Sequence, residues 1–295
     1  MSSGWKNSGL MKSSKSKLWF LLAPALVFLI LPLYGMFAAV RSSINGNQGL
    51  TFTYYVQLFQ SERFLSSIAF SVRTSLVATV IAIIIGLIIT RLFHTYLDKT
   101  TPRLSVWLPM LFPHFVWGYL VILLLAETGL IAQIFLVVGW IDGTGQFPVL
   151  TRDPYGLGII ITYVWKEIPF VILMLLPIYS SIPTSYYDLV KTLGGRSWEQ
   201  FRTVEWPHIQ PVLIETFLIL FSFTLTAYEV PALLGTTFPE MISVLSYQWF
   251  YGGILEERPL AFASMVFVSI VILTLTLAGY FYMNRRRMRA MRGRL

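Results

Sequence analysis

The sequence lacks cysteine altogether, which excludes a disulfide scaffold, a thiolate metal site and a cysteine nucleophile. Its three histidines, His94, His114 and His208, are far apart in the chain, so no metal centre is predicted. Neither the Gly-x-x-x-x-Gly-Lys-Ser/Thr motif that binds nucleotide phosphates nor the Gly-x-Ser-x-Gly motif of a serine nucleophile occurs. We therefore expect no catalytic residue, no cofactor and no metal in this chain.

Charged residues are also scarce, which indicates a membrane protein. They make up 12% of the 295 residues, and hydrophobic residues make up 56%, whereas a soluble domain carries roughly 25% charged residues. The mean hydropathy is +0.68. The net charge of +8 would suit a nucleic-acid partner, but the run Arg285-Arg286-Arg287 follows the last apolar segment, which is typical of an anchor on anionic lipid headgroups. No nucleic-acid partner is expected.

Six apolar runs are each long enough to cross a hydrocarbon layer of roughly 30 Å as an α-helix. They span residues 18–40, 66–90, 104–125, 155–180, 211–234 and 261–283. The first run is longer than a signal-peptide core, so we interpret it as an uncleaved span. A further patch, residues 130–140, is too short to span and is expected to form an interfacial or re-entrant helix. The predicted fold is an all-α membrane protein with six transmembrane helices, in one domain (18–283) between basic tails (1–17 and 284–295).

The basic residues outside the spans predict the orientation, because Lys and Arg concentrate in cytoplasmic loops. With a cytoplasmic N-terminus, sixteen of them fall inside the cell and four, Arg41, Arg63, Arg152 and Arg258, fall outside. We therefore predict a multi-pass protein with both termini in the cytoplasm. The same orientation places residues 182–207, the longest polar interruption with helical periodicity, on the cytoplasmic side.

The first half of residues 182–207 has the pattern of a short amphipathic helix. Leu189, Val190 and Leu193 fall on one face of that helix. Ser185 is expected to cap its N-terminus. Gly194-Gly195 is expected to end it, because glycine adopts the left-handed conformation without a Cβ clash.

The second half predicts another short helix that starts at Ser197. Trp198, Phe201 and Val204 recur at helical spacing, and Pro207 is expected to stop the helix. Apolar faces on two helices outside the bilayer need a covering surface, either protein or the lipid interface. An ordinary cytoplasmic helical hairpin is the simplest interpretation of this pattern.

The same residues resemble the "EAA" loop of ABC-type importer permeases, which reads Glu-Ala-Ala, three residues, Gly, nine residues, Ile-x-Leu-Pro. Asp188-Leu189-Val190, Gly194 and Val204-x-Trp206-Pro207 match that spacing throughout. The glycine and the proline are identical, whereas Asp, Leu-Val, Val and Trp replace Glu, Ala-Ala, Ile and Leu. The resemblance implies a type I importer permease whose loop docks on an ATPase subunit. The coupling residues that it implies are Asp188, Leu189, Val190, Leu193, Gly194, Val204 and Pro207.

Two segments, one at the outer end of the fifth span and one near the middle of the fourth, extend the resemblance. Ala227–Gly235, which contains Pro-x-Leu-Leu-Gly, and Trp165–Phe170 are similar to segments of permeases for spermidine and putrescine, ferric iron, thiamine and aminoethylphosphonate. The resemblance implies a prokaryotic plasma (inner) membrane location. It also implies separate ATPase subunits, which would hydrolyse the ATP, a second permease subunit, identical or distinct, and an extracellular solute-binding protein. The chain itself would then be a transporter subunit and not an enzyme.

Ionisable residues inside the spans are candidates for a translocation path, because each costs roughly 2.5–3.5 kcal/mol near the bilayer centre without a partner. The candidates are Arg73, Lys166, Glu167 and Glu229, together with Pro231, which is expected to interrupt the outer end of the fifth span. One interpretation pairs Glu229 with Arg73 or Lys166 as a structural ion pair. In the other, Glu167 and Glu229 contact the solute, and two carboxylates favour a cation such as a polyamine.

Two other function classes remain compatible with the residues alone. A stand-alone secondary transporter could move protons through Glu167 and Glu229, although such transporters often have two similar halves and no internal repeat is evident here. A membrane scaffold without transport activity is the third class, which the charges within the spans disfavour.

Overall fold

The computed structural model describes residues 8–46 and 49–291, with the side chains of residues 20–46 and 49–285. The helices of this part are α1 (Ser8–Ile44), α2 (Thr53–Gln60), α3 (Glu62–Leu97), α4 (Thr100–Trp107), α5 (His114–Leu125), α6 (Leu130–Val138), α7 (Leu157–Ser181), α8 (Thr184–Thr192), α9 (Ser197–Gln200), α10 (Trp206–Thr226), α11 (Glu229–Leu234), α12 (Ile242–Tyr251) and α13 (Arg258–Met291). Strands β1 (Asn45–Gly46) and β2 (Gly49–Leu50) pair antiparallel. Residues 1–7 and 292–295, which belong to the predicted basic tails, lie outside the described residues.

Six stretches of the described chain are helical, long and apolar enough to cross a membrane, which confirms the predicted number. They are Phe20–Ile44, Glu62–Leu97, His114–Val138, Leu157–Ser181, Ser197–Thr226 and Leu255–Arg285. The first, second, fourth and sixth contain most of the corresponding predicted runs. The third and fifth differ.

The prediction of residues 104–125 as one continuous third span is wrong. Pro109 and Pro113 interrupt this stretch, because proline lacks the N–H that a helix needs and clashes with the preceding turn. The chain instead forms α4, a 3₁₀ turn (Leu108–Leu111) and then α5. α5 and α6 together make up the third candidate span, His114–Val138. The patch at residues 130–140, predicted as interfacial or re-entrant, is thus largely part of this span.

The fifth span also differs from its predicted bounds of residues 211–234. α10 ends at Thr226, Ala227 is extended, and α11 begins at Glu229. The predicted irregularity is confirmed. It lies on the N-terminal side of Pro231, because a continuous helix would pair the Ala227 carbonyl with the N–H that Pro231 lacks. Pro231 occupies the first turn of α11, where backbone N–H groups have no intrahelical partner and proline is tolerated.

The connection between the first two spans is more ordered than the polar loop predicted from sequence. The β1–β2 hairpin leads into α2, whose Leu58 is fully buried. Leu58 and Phe64 share one apolar cluster with Phe221 and Trp249 from later elements. This early segment therefore packs against α13 and shares a cluster with α10 and α12, long-range contacts that local periodicity does not reveal.

α3 and α7 pack closely along the centre of the bundle. A Cβ atom at Gly86 of α3 would lie 2.6 Å from Val171 Cγ1 of α7, so only glycine permits this approach. In α7, 56% of the apolar window is buried, compared with 0% in the first span. α7 is therefore the central helix and α1 the peripheral one. Residues 182–207 leave the bundle at one end of α7, which we call the loop end.

Candidate functional site

The segment at the loop end folds as two short helices joined by glycine. α8 ends at Thr192 with Leu193 as its C-cap, and Gly194 has a φ of +81°, a conformation that glycine adopts without strain. The N–H of Gly194 donates to Lys191 O and that of Gly195 donates to Val190 O, both at 2.9 Å, which satisfies carbonyls at the helix end. The predicted stop at Gly194-Gly195 and restart at Ser197 are confirmed.

Two other local predictions for this segment are wrong. Ser185 does not cap α8, because the helix starts at Thr184 and Pro183 occupies the N-cap position. Pro207 does not stop the second helix. A π-helical turn, Phe201–Glu205, connects α9 directly to α10, and Pro207 lies in the first turn of α10, where its missing N–H is tolerated.

The apolar face predicted for α8 is exposed in this chain. Leu189 is 59% exposed and Leu193 is 80% exposed, although both are large aliphatic side chains outside the six spans. Val190 is half-buried, and Asp188 forms an exposed ion pair with Lys191 at 3.7 Å. Val204, in contrast, is buried. An exposed leucine pair beside a tight glycine turn is suited to insertion into a protein groove.

A buried carboxylate ties this loop to the bundle. Glu205 is 5% exposed, and its Oε2 accepts hydrogen bonds from Arg91 Nε and Tyr179 Oη, each at 2.9 Å. Arg91 Nη2 also donates to Ser197 O at 2.7 Å. The guanidinium lies 4.8 Å from the centre of the Phe201 ring. Arg91 of α3 therefore holds both the start of α9 and the π-helical turn.

An open cleft of about 590 Å³ lies between the loop and the loop ends of α3 and α7. Tyr187 of α8 lines the cleft, and its hydroxyl is buried with no hydrogen-bond partner among the described residues. Burial raises the pKa of the Tyr187 phenol, and the nearby negative charge of Glu205 raises it further. The phenol is therefore neutral at physiological pH and remains able to donate a hydrogen bond.

The second cluster lies at the middle of α7, beside the break before α5. Lys166 Nζ donates to the carbonyls of Pro109 at 2.8 Å and Phe112 at 2.6 Å. The Pro109 carbonyl would bond the residue four positions later in a helix, which is Pro113 and has no N–H. Lys166, together with the Trp117 indole, whose Nε1 donates to Pro109 O at 3.0 Å, therefore supplies the donor that proline removes. Its ion pair with Glu229, one of the two predicted pairings, does not occur among the described residues.

Glu167 is buried and lies 3.1 Å from His114 Nε2 at the start of α5. The His114 ring packs 4.7 Å from the Phe223 ring of α10. Glu167 and His114 thus connect α5 and α7 beside the break that precedes α5. A histidine partner for Glu167 was not among the pairings predicted from sequence.

The remaining candidates of the predicted path are dispersed. Arg73 is exposed, donates to Tyr155 O at 2.9 Å and lies over the Phe70 ring, so the predicted Arg73–Glu229 pair is also not formed in the described chain. Glu229 is exposed at the start of α11. Pro231 is buried next to it. The structure brings Lys166 and Glu167 to one break and Glu229 and Pro231 to the other.

Residues 82–289 match the family described as the binding-protein-dependent transport system inner membrane component. The match covers more than half of the chain. The chain belongs to that family. Membership of the binding-protein-dependent transport family confirms the expected class, an ABC importer permease subunit. The chain is therefore a transporter subunit and not an enzyme. It does not support the stand-alone secondary transporter or the scaffold.

Curated relatives include permeases for different solutes. The chain is 22% identical over 280 residues to a probable starch degradation products transport system permease protein, AmyD, of Thermoanaerobacterium thermosulfurigenes, covering 91% of this chain and 94% of AmyD. It is 29% identical over 180 residues to the thiamine transport system permease protein ThiP of Brucella suis, covering 58% of this chain but only 31% of ThiP. The family is thus clear, whereas the relatives do not agree on a solute.

A solved structure supports the fold independently. The chain resembles the structure of a bacterial ABC transporter involved in the import of the acidic polysaccharide alginate, with a TM-score of 0.72 and 21% sequence identity. The match covers 94% of this chain and 98% of that chain. The six-helix architecture is therefore that of an importer permease of the binding-protein-dependent transport family.

Sequence reasoning missed four residues of these two clusters: Arg91, Tyr179, Glu205 and His114. Glu205 occupies the variable position of Val204-x-Trp206-Pro207, so the motif assigns it no role. Arg91 counted only as a basic residue of a loop, although α3 continues through it to Leu97. His114 was considered only as a metal ligand. The signal that could have identified it is a polar side chain directly after Pro113, within an otherwise apolar run.

Proposed function

We propose that this chain is the membrane-spanning permease subunit of an ATP-driven importer of a small polar solute in a prokaryotic plasma (inner) membrane. It would pair with a second permease and with two ATPase subunits, and an extracellular solute-binding protein would deliver the solute. The observation that carries this proposal is the exposed Leu189 and Leu193 face of α8 beside the Gly194 turn. Exposed leucines outside the spans need a covering surface, and the resemblance of this loop to an ATPase-docking loop favours a protein partner over lipid.

The exposed face supports a docking role for the predicted coupling residues. Leu189 and Leu193 would enter a groove of the ATPase subunit, and Gly194 would let the chain turn away without a side chain against the groove. Asp188 is exposed beside them and available for polar contacts. Buried Val204 and the first-turn Pro207 would act differently, by setting the direction in which α10 leaves the loop.

The distribution of basic residues supports an orientation with both termini and the loop in the cytoplasm, where ATP is available. ATP-driven closure of the ATPase subunits would displace the loop. The displacement would tilt α3, α7 and α10, which pack together, so that the path opens alternately to the two sides of the membrane. This chain supplies the path and the lever, and the ATPase subunits supply the energy.

The two helix breaks support a path along α7. Irregular backbone at membrane depth is tolerated where it is covered by protein or lines a water-filled cavity. Lys166 and Glu167 lie beside the first break, and Glu229 and Pro231 lie at the second. Because Glu167 is paired with His114, the exposed Glu229 is the carboxylate best placed to contact a solute. Arg73, exposed on α3, would lie towards the outer end.

The solute class that the carboxylates favour is a polyamine. The main support for it is the exposed Glu229, because Glu167 is already paired with His114. None of the relatives described above is named for a polyamine, so the solute requires a direct test. Purifying the cognate solute-binding protein and screening it against polyamines, oligosaccharides, thiamine and oxyanions would identify the class. Binding of only an anion or a sugar would contradict the polyamine proposal and leave the permease role intact.

The permease role is tested with Gly194→Trp. The bulky side chain at a left-handed position in the docking turn is expected to abolish uptake and solute-stimulated ATP hydrolysis without preventing membrane insertion. Unchanged transport would contradict a lever role for the loop. Uptake that persists without the ATPase subunits but stops with an uncoupler would instead favour proton-coupled transport.

A further inference from the structure

The loop has few polar connections to the helices that it is proposed to move. Among the described residues, the side-chain hydrogen bonds from α3 or α7 to residues 183–206 come from Arg91 and Tyr179. Both donate to the same Glu205 oxygen, and Arg91 also reaches Ser197. Force that enters the exposed face of α8 therefore has one polar route into α3 and α7.

A purely stabilising role explains this arrangement poorly. A buried ion pair often contributes no more stability than apolar side chains of the same size, because both charges lose water. The chain also forms a π-helical turn at Phe201–Glu205, a rare local geometry that occurs frequently at functional sites. This turn connects α9 to α10 and carries the buried Glu205.

The opposite end of α3 has an equivalent contact. Arg63 Nε donates to Glu240 Oε1 at 2.7 Å, and Glu240 is 1% exposed. Glu205 and Glu240 flank the α10–α11 segment in sequence. α3 is about 54 Å long at 1.5 Å per residue, so two arginine–glutamate contacts hold it to the same segment near its two ends. This connection makes α3 a suitable rigid element for transmitting movement across the bundle.

We propose that Arg91 and Tyr179, acting through Glu205, are positioning residues that make the 182–207 loop and the loop ends of α3 and α7 move as one rigid unit. This inference rests on the proposed function, because it assumes that an ATPase subunit displaces the loop. Without the link, the loop would still dock, but its displacement would reach α3 only through apolar packing.

The absence of cysteine allows a direct test by site-specific labelling. Tyr96→Cys on α3 and Arg202→Cys in the loop would each carry a spin label, since both native side chains are exposed. The complete transporter in lipid nanodiscs would be measured before and after trapping with ATP, Mg²⁺ and vanadate. With native Glu205, the inter-label distance is expected to keep its position and width on trapping. In Glu205→Gln, the distribution is expected to shift and broaden on trapping.

Two further variants separate this link from general stability. Tyr179→Phe removes one hydrogen bond without removing a charge and is expected to act in the same direction, and it replaces Glu205→Gln should that variant fail to fold. Arg103→Gln breaks the exposed Arg103–Asp98 pair at the same end of the bundle and is expected to leave the trapped distance unchanged.

The outcomes distinguish the inference from the proposed function. A distance that changes on trapping in the otherwise native chain, or that stays fixed in Glu205→Gln and Tyr179→Phe, overturns the rigid link alone. Failure of the ATPase subunit to copurify with the native chain overturns the proposed function, and the inference with it. Retained copurification of Glu205→Gln together with a shifted distance supports both.

Discussion

Lys166 Nζ donates to the carbonyl of Pro109 at 2.8 Å, which in a continuous helix would bond the N–H that Pro113 lacks. A charged side chain of α7, together with the Trp117 indole N–H, therefore replaces a missing backbone donor directly before the third span. The contact explains how an ionisable group is accommodated at this depth, since hydrogen bonds to buried carbonyls offset part of the cost of removing the ammonium from water.

Lys166→Met is expected to destabilise the protein. The substitution keeps an unbranched side chain of similar length but leaves the Phe112 carbonyl without its donor, which typically costs about 1–3 kcal/mol. The apparent melting temperature in detergent, followed by tryptophan fluorescence, should fall. Glu229→Gln is the matched control, because Glu229 is exposed. Its apparent melting temperature should equal that of the native chain. Equal melting of both variants would contradict the structural role of Lys166.

Gly86→Ala should also lower the melting temperature. The added Cβ would lie 2.6 Å from Val171 Cβ and Cγ1, so α3 and α7 would have to separate, and overpacking of this kind typically costs about 1–3 kcal/mol. Gly35→Ala in α1 is the control, since nothing lies within 4 Å of its added Cβ, and alanine favours a helix over glycine. A parallel decrease in both variants would indicate that glycine acts through the backbone and not through packing.

Arg63→Gln should destabilise the protein in a pH-dependent manner. Burial raises the pKa of the Glu240 carboxyl, and the hydrogen bond and positive charge of Arg63 act in the opposite direction. Because the folded pKa is raised, the proton bound to Glu240 stabilises the fold at low pH, and this contribution is lost as pH rises through the folded pKa. Removing Arg63 raises that pKa further, so the deficit should be largest at neutral pH.

Melting temperatures of Arg63→Gln measured from neutral to acidic pH would test this relationship. The difference from the native chain should shrink as pH falls, because protonated Glu240 no longer needs a cationic partner. Arg63→Gln combined with Glu240→Gln should lose most of the pH dependence. A constant difference across the pH range would mean that Arg63 acts through packing alone.

Leu193→Asp should prevent the ATPase subunit from copurifying with the permease. A carboxylate at the most exposed position of the apolar face would have to be desolvated in the groove, whereas it costs little in the free chain. Thr184→Asp adds the same charge at an exposed position of α8 on the side opposite Leu193, and should retain the ATPase subunit. Retention by both variants would indicate that another surface carries the contact.

The sequence predicted the number of spans and the glycine turn because both depend on local properties. Apolar length determines a span, and Gly194-Gly195 favours a helix end because glycine adopts the left-handed conformation without strain. Pro113 and Pro231 show the limit of that reasoning. Both prolines interrupt the helix on their N-terminal side, but the next helix starts at different places: α5 starts directly after Pro113, whereas α11 starts two residues before Pro231.

The polar contacts could not be predicted, because they join residues far apart in the chain. Arg91 and Glu205 are separated by 114 positions, and His114 and Glu167 by 53. Charge alone suggested Glu229 as a partner for Lys166, yet Lys166 bonds two carbonyls that only the break at Pro113 makes available. The pairing of polar side chains inside a bundle depends on which helices pack together. The hydrophobic pattern of a single span does not predict that packing.

The central claim is that another polypeptide, one that hydrolyses nucleotide, contacts this chain through the exposed face of α8. Leu193→Cys, the single cysteine of an otherwise cysteine-free chain, tests it by cross-linking in native membranes. The account predicts an adduct with an ATPase subunit and labelling by an impermeant maleimide in inverted vesicles only. Labelling in intact cells, with no adduct to a nucleotide-hydrolysing subunit, would contradict it.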